Sequence, residues 1–277
     1  AGAAARASWP RAAGARWAGV GARSRAEGSG VAGKVCVGEE AEVLRCHPAG
    51  YLARVKATVP REGWAQLDGD TFLSPGSFEA AMRAVGGICA AVDAVISGEA
   101  KTAFVAGRPP GHHAERETAM GFCLFGTVAI GAKRALEHHG LKRVAIVDFD
   151  VHHGNGTQDL LWEEGRCLFV SSQQMPLYPG SGRAEERGAQ GQIVNVPLRA
   201  GSGGRAMREA YEGVVFPALA AWEPELLLIS AGFDAHADDP LAGLEWQAED
   251  YRWLTDRLCD FAGGRVVSSL EGGYDLD

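Results

Sequence analysis

The sequence predicts an α/β fold, a central parallel sheet flanked by helices on both faces. Two runs, Val144-Ala145-Ile146-Val147 and Leu226-Leu227-Leu228-Ile229-Ser230-Ala231, apolar but for Ser230, read as fully buried strands. Such runs alternate with longer stretches of helical periodicity, the pattern of parallel strands joined by crossover helices. Polar, chemistry-bearing residues follow directly behind the apolar runs. That is where ligands bind in open α/β sheets, at the carboxyl ends of the strands.

In chain order, helical patterns cover 39–58, 78–97, 121–139, 156–164, 205–222 and 247–262, and strand patterns cover 103–107, 144–149, 167–171, 193–196, 226–231 and 265–270. The third helical run stops at Gly140, which makes His138 and His139 solvated cap residues. No Pro/Ser-rich linker or internal repeat divides the 277 residues, so one large domain is expected. No apolar run has the length of a membrane span. Residues 1–33 stand apart: Ala, Gly and Arg dominate, with five Arg against one acidic residue, Glu27. They are expected to form a disordered or unrelated extension with a superficial likeness to an acidic-poor transit peptide. The domain proper is assigned to 34–277.

The net charge is −8, and because residues 1–26 hold five Arg and no acid, the remainder carries −13. An acidic body disfavours nonspecific nucleic-acid binding and suits cationic partners. The six cysteines (Cys36, Cys46, Cys89, Cys123, Cys167, Cys259) are scattered and contain no CxxC pair. They are expected to be reduced and mostly buried, in a cytoplasmic protein. No feature of the sequence specifies an oligomeric state.

Two stretches concentrate the chemistry, RPPGHHA (108–114) and DFDVHHGNGTQ (148–158). In the second, Asp148, Asp150 and His152 occupy alternate positions, which in an extended chain share one face. Two carboxylates and an imidazole are good ligands for a divalent metal; acids at a strand end can also cap a helix or meet solvent. Asp234, just past the apolar run 226–231, falls in the same layer. Asp150, His152 and Asp234 make three protein ligands, leaving a further coordination position open, as a catalytic zinc site requires.

Six strings in order, RPPGHHA, GFCLF (121–125), DFDVHHGNGTQ, PLYPGSG (176–182), SAGFDAHADDP (230–240) and LEGGYDL (270–276), resemble the histone deacetylase and acetylpolyamine amidohydrolase family. The resemblance covers about residues 39–277 and is strongest to bacterial members related to class II deacetylases. It implies the arginase/deacetylase fold and a zinc-dependent hydrolase that removes acetyl groups from acyl-lysine or related acylated amines. It also implies one Zn2+ per chain on Asp150, His152 and Asp234, and a K+ held by backbone carbonyls near Asp148, Asp150, His152 and Ser171. His112 and His113 match the tandem catalytic histidines. His113 is the expected base and later acid, and His112 an electrostatic partner oriented by Asp148. Asn155 falls where some relatives carry Asp, which implies a weaker hydrogen bond and a lower pKa for His113 than with Asp. Tyr274 matches the tyrosine that polarises the amide carbonyl.

Gly121, Phe122 and Tyr178 match the walls of a narrow acyl-lysine tunnel. Leu241 matches a rim position where an acid would favour a polyamine; leucine favours acyl-lysine. Asp70 is either the rim residue that grips a substrate backbone or the start of the helix near Ser77. Gly126-Thr127 and Gln173 depart from the usual Asn-Asn and His, which implies altered packing around the site. Relatives continue beyond Tyr274, so the resemblance also implies a fragment with incomplete ends.

The expected partners are acetylated lysine-containing proteins or peptides, or acetylated polyamines, with neither nucleic acid nor membrane. Two remoter readings stay open. Asp234-Ala235-His236-Ala237-Asp238 resembles a string of the dimanganese ureohydrolases, and an inactive acyl-lysine-binding fragment would show the same motifs.

Overall fold

A computed structural model of the chain describes residues 19–22, 31–34 and 36–276. Its strands are β1 (Gly19–Ala22), β2 (Val31–Lys34), β3 (Ala65–Gln66), β4 (Phe72–Leu73), β5 (Thr102–Ala106), β6 (Val144–Asp148), β7 (Cys167–Gln174), β8 (Ile193–Leu198), β9 (Leu226–Ala231) and β10 (Val266–Leu270). Its α-helices are α1 (Glu40–Val43), α2 (Ala49–Thr58), α3 (Ser77–Ser97), α4 (Thr127–Glu137), α5 (Asn155–Leu161), α6 (Gly204–Ala210), α7 (Phe216–Trp222) and α8 (Ala248–Leu258).

Among the described residues the main sheet runs β2-β1-β5-β10-β9-β6-β7-β8. The six strands from β5 to β8 are mutually parallel, while β1 pairs antiparallel with β5 and with β2. The sequence showed no strand before residue 34, yet β1 and β2 add a ribbon to the sheet edge. The rest of 1–33, where an extension was expected, lies outside the described residues.

Alternation of side chains across the sheet divides the interior in two. Val144, Ile146, Phe169, Leu226 and Leu228 pack with α3 and α4. Ala145, Val147, Val170, Leu227 and Ile229 pack with α6, α7 and α8. A parallel sheet covered on both faces accounts for the unbroken apolar strands.

Four expectations are corrected. The run 39–58 is interrupted at Pro48, the N-cap of α2, because a residue before proline is pushed out of the helical region. The run 205–222 contains a π-turn at Tyr211–Val215. Pro217, in the first turn of α7, lacks the N–H that a regular ladder would direct to Gly213. The run 121–139 begins only at Thr127, since Gly121 and Phe122 hold left-handed φ of 54° and 66°. Finally, α3 does have the length and apolar composition of a membrane span, contrary to the sequence reading. Its apolar face, Met82, Val85, Ile88, Val92 and Val95, is buried in the core, and Gly76 and Gly98, both at positive φ, flank it.

At the edge of this core Glu164 binds Lys133 of α4 and Arg166 ahead of β7, each at 2.7 Å. The Arg166 hydrogen bond, against some burial and aided by Lys133, holds Glu164 down at about 2 from an ordinary 4.5. An acid with a depressed folded pKa stabilises the fold fully above its unfolded value and loses that contribution as pH falls through the folded one. Glu164→Gln is therefore expected to flatten the fall in urea midpoint between about pH 4.5 and 2, measured by circular dichroism, and to leave its pH dependence above 6 unchanged.

Candidate active site

The carboxyl ends of the neighbouring strands β5, β10, β9 and β6 meet at one edge of the sheet. Strand β6 ends at Asp148, so the expected extended geometry does not itself reach Asp150 and His152. The alternation survives for another reason. Asp148 Oδ1 accepts the N–H of Asp150 at 3.1 Å and Asp150 Oδ1 that of His152 at 2.9 Å. Such side-chain turns direct Phe149 and Val151 into the core beneath.

Asp150, His152 and Asp234 are all buried, with candidate ligand atoms within 4.8 Å of one another. His152 Nδ1 lies 3.2 Å from Asp150 Oδ1 and 3.1 Å from Asp234 Oδ2. Burial opposes protonation of His152, but hydrogen bonds to both carboxylates outweigh it and lift the imidazole to about 9. Burial and the charge of Asp150 push Asp234 up to about 7. The same negative potential favours a bound cation. Glycines leave room around it: a Cβ at Gly272 would stand 2.2 Å from Asp234 Oδ2, and one at Gly232 2.2 Å from Asp150 Oδ2. Two oxygen donors and an imidazole nitrogen in such a cradle fit a divalent first-row metal.

Above this cluster the His112 and His113 rings stand 4.0 Å apart between centroids. His112 Nδ1 donates to Asp148 Oδ2 at 3.0 Å, and its Nε2 lies 3.7 Å from Asp150. Burial works against the imidazolium, yet Asp150 and Asp148 together raise its pKa well above the ordinary value. His113 is shifted the other way, by burial first and the neighbouring His112 charge second. Its Nδ1 donates to Asn155 Oδ1 at 2.7 Å, and Asn155 Nδ2 donates to Glu115 at 2.7 Å. The second bond fixes the amide orientation, so the His113 proton sits on Nδ1 and Nε2 keeps a free lone pair.

The expected wall residues gather here. Tyr178 lies edge-on to His113 and His152, at 5.1 and 6.2 Å between centroids. Phe122 faces Tyr274 across 6.1 Å. Gly121 is held against His113, where a Cβ would meet Cδ2 at 2.2 Å. Asp70 starts no helix: its Oδ1 accepts the Gly121 N–H at 3.0 Å, and Thr71 Oγ1 accepts that of Phe122 at 3.1 Å. These bonds support the left-handed backbone that shortened the helix. Leu241 is exposed nearby in sequence to the buried Asp239. The Tyr274 phenol is raised by burial, then by the Asp150 and Asp234 carboxylates, and stays protonated.

Other expectations resolve separately. His153 is bonded to Ser181 and Gln158 at 2.8 and 3.1 Å. His138 is exposed, but His139 binds Asp93 at 2.7 Å rather than solvent alone. Gly126 donates to His47 and Gln173 to the Gly182 carbonyl, at 2.9 and 2.6 Å. His236 and Asp238 face each other at 3.5 Å outside the metal-ligand cluster, so the ureohydrolase string places only Asp234 there.

Sequence reasoning missed Glu271. This fully buried side chain accepts the N–H groups of Gly111 and His112 at 2.7 and 3.1 Å, and burial lifts it to about 7. The signal for it was the lone acid directly behind the strand pattern 265–270.

A buried Asp-His-Asp cluster beneath paired histidines, at the carboxyl edge of a parallel sheet, defines a metallohydrolase-like centre. The family model described as the histone deacetylase domain matches residues 27–277, and the chain belongs to that family. It is 45% identical over 234 residues to an uncharacterized protein of Synechocystis, covering 84% of this chain and 76% of that one. It is 42% identical to the histone deacetylase-like amidohydrolase of Pseudomonas aeruginosa, over 84% and 63% of the two chains. Histone deacetylase 10, chloroplastic, of Oryza sativa is 39% identical over 85% and 57%. The chain thus spans about six tenths of the last two. The crystal structure of the HDA15 HD domain superposes with a TM-score of 0.84 at 35% identity, covering 87% of this chain and 72% of that one. The arginase/deacetylase fold is thereby established.

The parent chain is expected to purify with a divalent metal and Asp150→Ala and Asp234→Ala without it, measured by plasma mass spectrometry. Gly272→Ala removes no ligand, but its Cβ crowds both carboxylates, and it is expected to lower metal retention as well.

Proposed function

We propose that this chain is a zinc-dependent amidohydrolase that releases acetate from acetylated lysine side chains. The observation that carries the reading is the unequal pair of histidines. His112 is held on the Asp148 carboxylate and His113 on the Asn155 amide, both over Asp150, His152 and Asp234.

Asp150, His152 and Asp234 would hold the ion, which when bound polarises an amide carbonyl and lowers the pKa of water to about 7. His113, neutral and with Nε2 free, takes a proton from the attacking water and returns it to the departing amine. His112, charged between Asp148 and Asp150, stabilises negative charge developing on the substrate and keeps His113 neutral. Tyr274, whose phenol does not ionise near neutral pH, donates to the carbonyl oxygen as it becomes an oxyanion. Phe122 and Tyr178 offer aromatic faces to the apolar methylene stem of a lysine.

The apolar Leu241 favours acyl-lysine over acetylated polyamine, which stays the second substrate class. Potassium on backbone carbonyls near Asp148, Asp150, His152 and Ser171 is part of the proposal. It is supported by the buried, unpartnered Ser171 and Ser230 hydroxyls, which flank Asp148 from the strands on either side of it. The scattered cysteines, four of them buried, support a reducing compartment, for which we propose the cytoplasm.

The test is deacetylation of a fluorogenic acetyl-lysine peptide by the purified chain, before and after chelation and zinc return. Turnover lost on chelation and restored by zinc is expected; a zinc-loaded chain that cleaves neither this peptide nor an acetylated polyamine would refute the reading. Tyr274→Phe is expected to keep the metal and lose about 100- to 1,000-fold in kcat, as removal of an oxyanion donor does. Full activity in that variant would remove Tyr274 from the mechanism.

A further inference from the structure

Tyr274 belongs to a stretch, Glu271–Leu276, that forms neither helix nor strand. Its first two residues are well tied. The Glu271 N–H reaches Ala231 O at 2.9 Å, the Gly272 N–H reaches Asp150 Oδ2 at 2.7 Å, and Gly272 O accepts Phe233 N–H at 2.9 Å. Next comes Gly273, at φ 132°, a conformation open chiefly to glycine and one that leaves the following residue's direction to its own contacts. Packing sets that direction only in part: on one side the Phe122 ring lies edge-on at 6.1 Å. An open cavity of about 370 Å³ lies beside Tyr274, lined also by Phe233, His236, Tyr251 and Gly273.

One buried side chain supplies what packing does not. Asp239 is 6% exposed, and its two oxygens accept two backbone N–H groups, Tyr274 at 2.7 Å and Leu241 at 3.0 Å. A carboxylate accepting a backbone N–H makes a charge-assisted bond, about twice as strong as a neutral one. The Leu241 bond alone is an ordinary turn within the loop. The Tyr274 bond spans 35 residues and ends on the backbone of the residue whose phenol must meet the oxyanion.

We propose that Asp239 is a positioning residue for Tyr274, fixing the oxyanion donor and the rim residue Leu241 on one carboxylate. The inference rests on the proposed deacetylase reading for its catalytic consequence, but not for its geometry. An oxyanion donor displaced by about 1 Å costs on the order of 100-fold in rate. Asp239 acts only through the phenol, so its loss costs little where the phenol is already gone.

The test combines Asp239→Asn and Asp239→Ala with Tyr274→Phe. Asparagine offers one acceptor oxygen for two N–H groups and is the variant that carries the test where alanine fails to fold. With the acetyl-lysine peptide, Asp239→Asn is expected to lower kcat about 10- to 100-fold with KM within about 2-fold, and to cost less than about 3-fold in the Tyr274→Phe background. An equal loss in both backgrounds would overturn the proposal and leave Asp239 as a loop-shaping residue. A second measurement needs no turnover. With 3-fluorotyrosine at position 274, Asp239→Asn is expected to shift and broaden the 19F resonance, and an unchanged resonance would also overturn the proposal. A shifted resonance in a chain that hydrolyses no acetylated amine would refute the proposed function and uphold the positioning.

Discussion

Everything at the carboxyl edge of this sheet is arranged around buried negative charge. Asp148, Asp150, Asp234 and Glu271 are each fully buried and rise from the ends of three neighbouring strands. An uncompensated buried carboxylate costs several kcal/mol. Burial accordingly pushes Asp148 to about 6 and Asp234 and Glu271 to about 7. For Asp150 burial is outweighed by the charges and hydrogen bonds of His112 and His152, and its pKa falls.

The compensation comes from three kinds of group, each with its own structural consequence. Backbone N–H groups reach Asp234 from Val151, Asp150 from Gly272, and Glu271 from Gly111 and His112. They tie the loops after β5, β6, β9 and β10 to one another. Histidines supply the second kind: His112 shares Asp148 and Asp150, and His152 shares Asp150 and Asp234. A divalent cation would supply the third, and it is the one that converts stored charge into chemistry. Differential placement of His112 and His113 follows from the same field. One imidazole lies against the carboxylates and is drawn toward the charged form; the other is tied to a neutral amide and kept uncharged.

Much of this was legible in the sequence because it is written in period two. Unbroken apolar runs named the buried strands, and the polar residues behind them named Asp148, Asp150, His152 and Asp234. The roles proposed for the tandem histidines and Tyr274 came from motif order, since local periodicity does not distinguish one Tyr from another. What stayed hidden depends on contacts remote in sequence. Asp70 and Thr71 stabilise a left-handed Gly121-Phe122 from 51 residues away, so helical periodicity over 121–126 misled. Glu271 and Asp239 look like surface acids until the fold brings them against backbone N–H groups 160 and 35 positions away in the chain. The π-turn before α7 hangs on one missing N–H at Pro217, whose effect is a shift in register that periodicity does not show.

The central claim is that this buried charge is balanced by one divalent cation on Asp150, His152 and Asp234. The most direct measurement is the thermal midpoint of the parent chain across a zinc titration after exhaustive chelation. A ligand that binds only the folded state adds about 2.7 kcal/mol at 100 times its Kd. The account predicts a midpoint that climbs with zinc, with one ion bound per chain at the first plateau of binding. A midpoint indifferent to zinc, with no ion bound, would contradict it.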